Sequence, residues 1–143
     1  MPATISLYNH TAKLFADGSN AAADTYKVKL LTAATFSASH TTLAATGGTE
    51  VASGNGYTTG GATLSGVTVT TVTTNDATFD ANDVTWTAGA SALAASYGIL
   101  YNATDTDSPP LAFIDFGGSQ SAPAGTDFKL VWNASGIFTF TVA

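Results

Sequence analysis

Four short runs of large apolar residues in the C-terminal third constrain most strongly what this chain can fold into. Each run is rich in aromatic and β-branched residues, and the segments between them contain Asp, Ser, Pro, Gly and Asn, the residues that turn a chain. The pattern predicts four consecutive strands in one compact antiparallel unit. The predicted strands are residues 96–102, 111–116, 126–132 and 136–142, and the predicted turns are 105–110, 117–119 and 133–136.

The alternation inside these runs also predicts which side chains face the core. Every second large residue falls on the same face of a strand, because successive side chains of a strand point to opposite faces. The core candidates are Ile99, Tyr101, Phe128, Leu130, Trp132, Phe138 and Phe140.

The N-terminal half adds shorter strand patterns. In residues 25–32, Tyr26, Val28 and Leu30 face one way while Lys27 and Lys29 face the other, which indicates a half-buried strand. Residues 62–74 alternate through Leu64, Val67, Val69 and Val72, with a parity change near Gly66 that indicates a bulge. Two further short strands are expected at residues 76–80 and 84–87.

About eight strands and no long helix predict an all-β fold, a two-sheet antiparallel sandwich of jelly-roll type. The 143 residues suit one domain, 1–143, with a core that needs no metal or disulfide. Residues 1–20 form either an arm with a short helix at 9–16 ended by Gly18, or two edge strands around Ile5 and Leu7 and at 13–15. Residues 33–61 show no sustained period and predict a long loop region.

Charge and composition exclude several classes of function. The net charge is −6, from ten acidic residues and four lysines without arginine, so nucleic acid and acidic membrane surfaces are not expected partners. The chain contains no cysteine, which excludes disulfides and thiol chemistry. The first residues lack the basic and apolar regions of a secretory signal, and no apolar run is long enough for a membrane helix.

No motif predicts a catalytic, cofactor or metal site, so we expect no enzymatic activity. Asp80, Asn82 and Asp83 have the spacing of calcium ligands but lack the glycine and glutamate of an EF-hand loop, so they indicate a turn. The glycine-rich segment 54–61 has no phosphate-binding signature. Asp115 lies within an apolar strand, and it either faces solvent or accepts hydrogen bonds from the following turn.

Several segments carry a resemblance to a known family. Residues 97–104, 110–117, 128–133 and 136–138, together with 24–31 and 51–61, resemble small virion proteins of tailed bacteriophages, among them capsid decoration (cement) proteins. The resemblance implies a jelly-roll module that forms a homotrimer on the outer surface of the phage head, after synthesis in the host cytoplasm. The implied partner is the major capsid protein.

A decoration protein acts by surface contact, and the N-terminal arm and the long loop region are the elements expected to provide it. The expected contact residues are Ile5, Leu7, Tyr8, His40, Leu43, Asn55 and Tyr57. Two alternatives remain open: a structural or adaptor protein of the phage tail or neck, and a carbohydrate-binding sandwich that uses Trp86, Trp132 and exposed tyrosines.

Overall fold

The computed structural model describes residues 3–71 and 76–141, which form eleven strands and two short helices. The strands are β1 Thr4–Leu7, β2 Tyr26–Ala33, β3 Thr49–Glu50, β4 Ala62–Thr63, β5 Thr68–Thr70, β6 Asp76–Asp80, β7 Val84–Thr87, β8 Leu93–Asn102, β9 Pro110–Ala122, β10 Asp127–Leu130 and β11 Phe138–Thr141. The helices are α1 Thr11–Ala16 and α2 Leu43–Thr46. The predicted strand positions of Val72 and Val142 lie outside the described residues.

The strands form a large sheet and two small ones, all antiparallel. The six-stranded sheet has the order β1-β9-β8-β2-β3, with β4 also paired to β2, and the small sheets are β10-β7 and β11-β6-β5. Apolar side chains of the large sheet and of both small sheets meet in one core, so the small sheets together form the second layer. The all-β antiparallel sandwich is therefore confirmed, whereas the jelly-roll type stays a prediction.

Strand β2 shows why the sequence folds into these layers. Tyr26, Val28 and Leu30 are fully buried in the main core, and Lys27 and Lys29 lie half-buried on the opposite face. The predicted alternation is therefore confirmed. The predicted core candidates are also buried, apart from Phe140, which packs against the core while partly exposed.

A second, smaller apolar cluster lies apart from the main core. Tyr8, Leu31, Ile99 and Phe113 are buried in it, and the partly buried side chains of Ala34, Phe36, Leu43 and Tyr97 cover them. The first part of the region 33–61 thus packs on the protein as a cover. Its last part enters the main core through Tyr57. The region has no regular spacing of apolar residues because its apolar side chains pack into two different clusters. They do not follow the face of one strand or helix.

The prediction of one four-stranded C-terminal unit is wrong. Only β8 and β9 pair with each other, while β10 pairs with β7 and β11 pairs with β6. Successive strands of a sandwich often belong to different layers, and the side-chain pattern reports that a strand is half-buried without naming its partner. The alternation of apolar and polar residues therefore could not predict which strands pair with each other.

The predicted turn at residues 117–119 is also wrong, because β9 continues through it. Tyr97 of β8 pairs with Asp115, but Ala95 pairs with Gln120, so the β9 residues in between form a wide bulge. Gly117 and Gly118 have φ angles of 75° and 133°, and the chain bends there without reversing.

Both alternatives for the N-terminus are correct in part. The first edge strand exists as β1, and it is followed by the helix α1, which ends at Ala16, with Asp17 as its C-cap and Gly18 at a φ of 82°. The alternative of a second strand at residues 13–15 is wrong, since those residues are helical. The N-terminal segment is built into the sheet through pairs that run from Thr4 with Asp115 to Leu7 with Ala112.

The parity change near Gly66 separates two strands. Residues before it form β4, which pairs with β2 of the large sheet, and residues after it form β5, which pairs with β6 of a small sheet. Gly66 has a φ of 63°, and its Cα faces the side chain of Asn82 so closely that a Cβ would clash. The chain crosses between layers at this point. Strands β6 and β7 have the predicted bounds but belong to different small sheets.

Candidate functional site

The described residues contain no assembled chemical centre. No group of three or more His, Asp or Glu side chains lies close enough to hold a metal ion within residues 3–71 and 76–141. No helix in the same part of the chain is long and apolar enough to cross a membrane. The candidate residues are therefore judged by what each of them contacts.

The acidic segment 80–83 connects β6 to β7 and accepts two hydrogen bonds from Trp132. The indole Nε1 of Trp132 donates to the carbonyl oxygen of Asn82 at 3.1 Å, and its backbone nitrogen donates to Asp83 Oδ1 at 2.9 Å. Asn82 also donates through its side-chain Nδ2 to Ser65 Oγ at 3.1 Å. These hydrogen bonds link the ends of β7 and β10 to the loop before β5, so Asn82 and Asp83 have structural roles in the connection between β6 and β7.

Asp115 takes the second of its two predicted roles. Its Oδ1 accepts a hydrogen bond from the backbone nitrogen of Gly117 at 2.8 Å, at the start of the bulge in β9. The half-buried carboxylate thereby satisfies a backbone donor that the bulge removes from the ladder. Its role is structural.

The single glutamate organises the glycine-rich loop. Glu50 Oε1 accepts from the hydroxyl of Tyr57 at 2.8 Å and from the backbone nitrogen of Gly60 at 2.6 Å. The hydroxyl of Tyr101 donates to the carbonyl oxygen of Gly60 at 2.6 Å. Burial and the nearby Glu50 raise the pKa of Tyr57 and of Tyr101, so both hydroxyls stay protonated. The network fixes the loop against the large sheet.

The structure corrects two of the expected contact residues. Tyr8 and Tyr57 are each only 2% exposed, so neither side chain is available to a partner. Tyr8 lies in the smaller cluster and Tyr57 in the main core, because both rings are the large apolar groups of segments that otherwise have few. Trp86 and Trp132, which the carbohydrate-binding alternative would need at the surface, are core residues at 5% and 7% exposure, as their place in alternating strands indicates.

The remaining expected contact residues are not brought together in one place. Asn55, at a φ of 56°, uses its side chain to hold residues 91 and 92 through three hydrogen bonds. Leu43 covers the smaller cluster, and Leu7 packs partly against the main core. Ile5 is 38% exposed on β1. Contact with a partner stays a prediction for Ile5, Leu7, His40, Leu43 and Asn55.

Two histidines lie beside Tyr8. The rings of His10 and His40 each stack on the Tyr8 ring with centroids 6.4 Å apart. Both ring nitrogens of His10 and Nδ1 of His40 are buried without a hydrogen-bond partner of good geometry. Burial lowers the pKa of His10, and the nearby backbone of Pro110 and His40 offsets this in part. This arrangement favours neutral His10.

The outer edge of β1, which pairs with no further strand among the described residues, borders a groove lined by uncharged residues, which we call the β1 groove. Its walls are Ala3, Ile5 and Ile114 on one side and residues 130–133, Gly136 and Ile137 on the other, around a volume of ≈ 500 Å³. Ile5 and Val131, at 38% and 65% exposure, are two of the three exposed large apolar side chains in the described residues. The third, Val69, is on β5.

The exposure of Val131 could have been predicted from the sequence. Leu130 and Trp132 were expected to face the core, so alternation requires Val131 between them to face outward. A single exposed apolar residue is common on protein surfaces, so Val131 gains meaning only as part of a larger patch. Its proximity to Ile5, however, depends on how two distant segments pack.

The chain matches no protein-family model, no curated protein and no solved structure. The proposal for its function therefore rests on the surface features above and on the sequence resemblance.

Proposed function

We propose that the protein is a structural component of a tailed-phage virion that decorates the head and stabilises the shell by bridging neighbouring major capsid proteins. The observation that carries the proposal is the β1 groove. It places two exposed apolar side chains, Ile5 and Val131, beside a strand edge to which no strand of the described residues pairs. Such a surface is suited to burial against a neighbouring molecule of an assembly, which includes a second copy of this chain, and offers no reactive group.

The composition supports action by contact. Only 10% of the residues are charged, so few ionic groups oppose close packing against neighbours. A bridging protein needs contact area and complementary shape, and the net charge of −6 favours basic patches on the major capsid protein. The homotrimer and the outer-surface location are parts of this proposal that follow from the resemblance.

The proposal is tested with purified protein and capsids that lack it. We expect the wild-type chain to co-sediment with these capsids, and we expect cryo-electron microscopy to show many copies at three-fold positions of the shell. A single ring of copies at the neck or tail would support the tail alternative instead. A chain that binds glycans and ignores both capsids and tails would refute a structural role in the virion.

Variants make this test specific to the β1 groove. Val131→Asp introduces a charge in place of the most exposed large apolar side chain of the described residues. Val69→Asp makes the same change on β5 and is the matched control. If the groove contributes to assembly on the shell, Val131→Asp lowers occupancy while Val69→Asp does not. If both variants occupy the shell equally, the β1 groove does not contribute to binding there.

A further inference from the structure

Strand β1 is a short edge strand that lacks the charge, the proline and the bulge that commonly oppose pairing with another strand. Among the described residues it pairs with β9 alone, in an unbroken register of four pairs. Its sequence, Thr-Ile-Ser-Leu, contains no charge and no proline, and its register shows no bulge. Edge strands normally carry such features because unpaired backbone groups are a template for another strand.

The other sheet edges differ from β1 in charge or in exposed apolar residues. β4 and β7 are also uncharged, but neither carries an exposed large apolar side chain. β10 carries Asp127 and Lys129, and β3 carries Glu50. β11 is uncharged, but its two phenylalanines pack against the ring of Phe15. β5 presents one exposed apolar residue, Val69, on three residues of strand. Only at β1 do two exposed large apolar side chains lie beside an uncharged edge within the described part of the chain.

The charge distribution indicates which partner fits this edge. None of the residues that line the β1 groove is charged, on a chain whose net charge is −6. Two copies of an acidic chain repel each other least where neither carries charge, whereas a basic partner gains most from the acidic surface elsewhere. A second copy of the same chain therefore suits the groove.

We propose that β1 pairs antiparallel with β1 of a second copy about a two-fold axis, so that two large sheets join into one. Such a contact is isologous, since the same patch serves on both copies. Ile5 and Leu7 pair with Ile114 and Ala112 and so share their face of the sheet. A register that keeps the two apolar faces aligned places Ile5 opposite either Ile5 or Leu7 of the second copy.

The size of the contact requires more than the strand. A standard interface buries about 800 Å² on each partner, roughly a ninth of the 7057 Å² surface of the described residues. Four residues of strand cannot supply this area alone. Val131 and the opposite wall of the groove lie next to the edge and supply the rest.

This inference concerns the purified chain and does not rest on the proposed function. If the protein also decorates a shell, a two-fold contact of this kind would join neighbouring trimers and add to any three-fold contact within them.

Cysteine trapping tests the register directly, because the natural chain has no cysteine and each variant holds a single thiol. Ile5→Cys reports the register that places Ile5 opposite itself, and Ser6→Cys reports the register centred on Ser6, in which Ile5 meets Leu7. We expect one of these variants to form a covalent dimer under mild oxidation. Val69→Cys, also exposed but on β5, is the control and is expected to stay monomeric.

Association without cysteine provides the second measurement. Analytical ultracentrifugation of the wild-type chain is expected to show dimers, and Ile5→Asp is expected to raise the dimer dissociation constant at least about tenfold. Val69→Asp is expected to leave it unchanged, with circular dichroism confirming that both variants fold. A wild-type chain that stays monomeric, or a Val69→Cys dimer that forms as readily as the β1 variants, would overturn the inference. Capsid co-sedimentation is a separate measurement, so the two proposals can fail independently.

Discussion

The hydroxyl of Tyr57 joins the backbone nitrogen of Leu30 to the carboxylate of Glu50. It accepts from the backbone nitrogen of Leu30 at 3.0 Å and donates to Glu50 at 2.8 Å, and the Tyr57 ring is 2% exposed. We expect Tyr57→Phe to lower the free energy of unfolding by about 1–3 kcal/mol, the usual cost of leaving a buried donor unpaired. Urea denaturation followed by tryptophan fluorescence measures this loss.

Tyr97→Phe is the matched control for that prediction. The Tyr97 ring is half-buried on the smaller cluster and contacts Phe113, and its hydroxyl makes no hydrogen bond to the described residues. Removing this hydroxyl should change the unfolding free energy by less than about 0.5 kcal/mol. Equal losses in the two variants would mean that the Tyr57 hydroxyl does not act through Leu30 and Glu50.

His10 makes stability depend on pH. Burial lowers its pKa in the folded protein, whereas the unfolded chain has the ordinary value of about 6.5. Below that pH the unfolded chain binds a proton that the folded chain does not, so the free energy of unfolding falls as pH drops from about 6.5 toward the folded pKa. Chemical denaturation at pH values between about 7.5 and 5 should show this fall in the free energy of unfolding.

The variant His10→Gln isolates the effect. It removes the titrating ring, and we expect a flatter stability profile over the same range. Asp17, whose pKa is lowered mainly by its hydrogen bond from Lys13, loses its contribution only below about pH 4, so the two windows are separate. An unchanged profile in His10→Gln would assign the pH dependence to another group.

At the scale of elements, the glycine-rich loop approaches β2 closely at one position. Gly61 and Gly18 share a φ of 82°, but a Cβ at Gly61 would overlap the backbone carbonyl of Val28, whereas nothing lies within 4 Å of a Cβ at Gly18. We expect Gly18→Ala to cost about 1–2 kcal/mol from backbone strain alone. Gly61→Ala should cost clearly more, because β2 or the loop must move. Thermal unfolding of both variants measures the difference, and equal shifts in Tm would mean that the loop is not held against β2.

The individual strands could be predicted because each depends on local pattern. Asp76–Asp80 and Val84–Thr87 have the expected bounds, and β2 has the expected buried face. Partners could not be predicted, since an alternating strand fits any half-buried place in either layer. The pair Gly117 and Gly118 shows a related limit: glycine indicates positive φ, and both a turn and a bulge use it.

The candidate site was predictable only in its parts. Ile5 was expected to make contacts, and the outward position of Val131 follows from alternation in the predicted strand 126–132. Their meeting across the β1 groove results from β1 pairing with β9 at one side and residues 130–137 packing nearby, which no local pattern encodes. The same lack of tertiary information placed Tyr8 and Tyr57 on the surface, although both are core residues.

At the scale of the whole molecule, the two halves of the chain are paired with each other. β2 pairs with β8 and β1 with β9 in the large sheet, while β7 pairs with β10 and β6 with β11 in the small sheets. Every sheet therefore contains strands from both sides of the loop between β7 and β8. Within the C-terminal half, only β8 and β9 pair with each other.

This arrangement predicts that neither half folds alone. A fragment of residues 1–89 would expose the unpaired sides of β1, β2, β6 and β7, and a fragment of residues 90–143 would hold the isolated β8–β9 hairpin with two unpaired strands. A two-stranded hairpin is at best marginally stable in water. We expect each fragment to give the narrow amide dispersion of an unfolded chain in proton NMR, and the intact chain to unfold in one cooperative transition. A dispersed spectrum from residues 90–143 would instead show that the C-terminal runs can form a core without their partners from the N-terminal half.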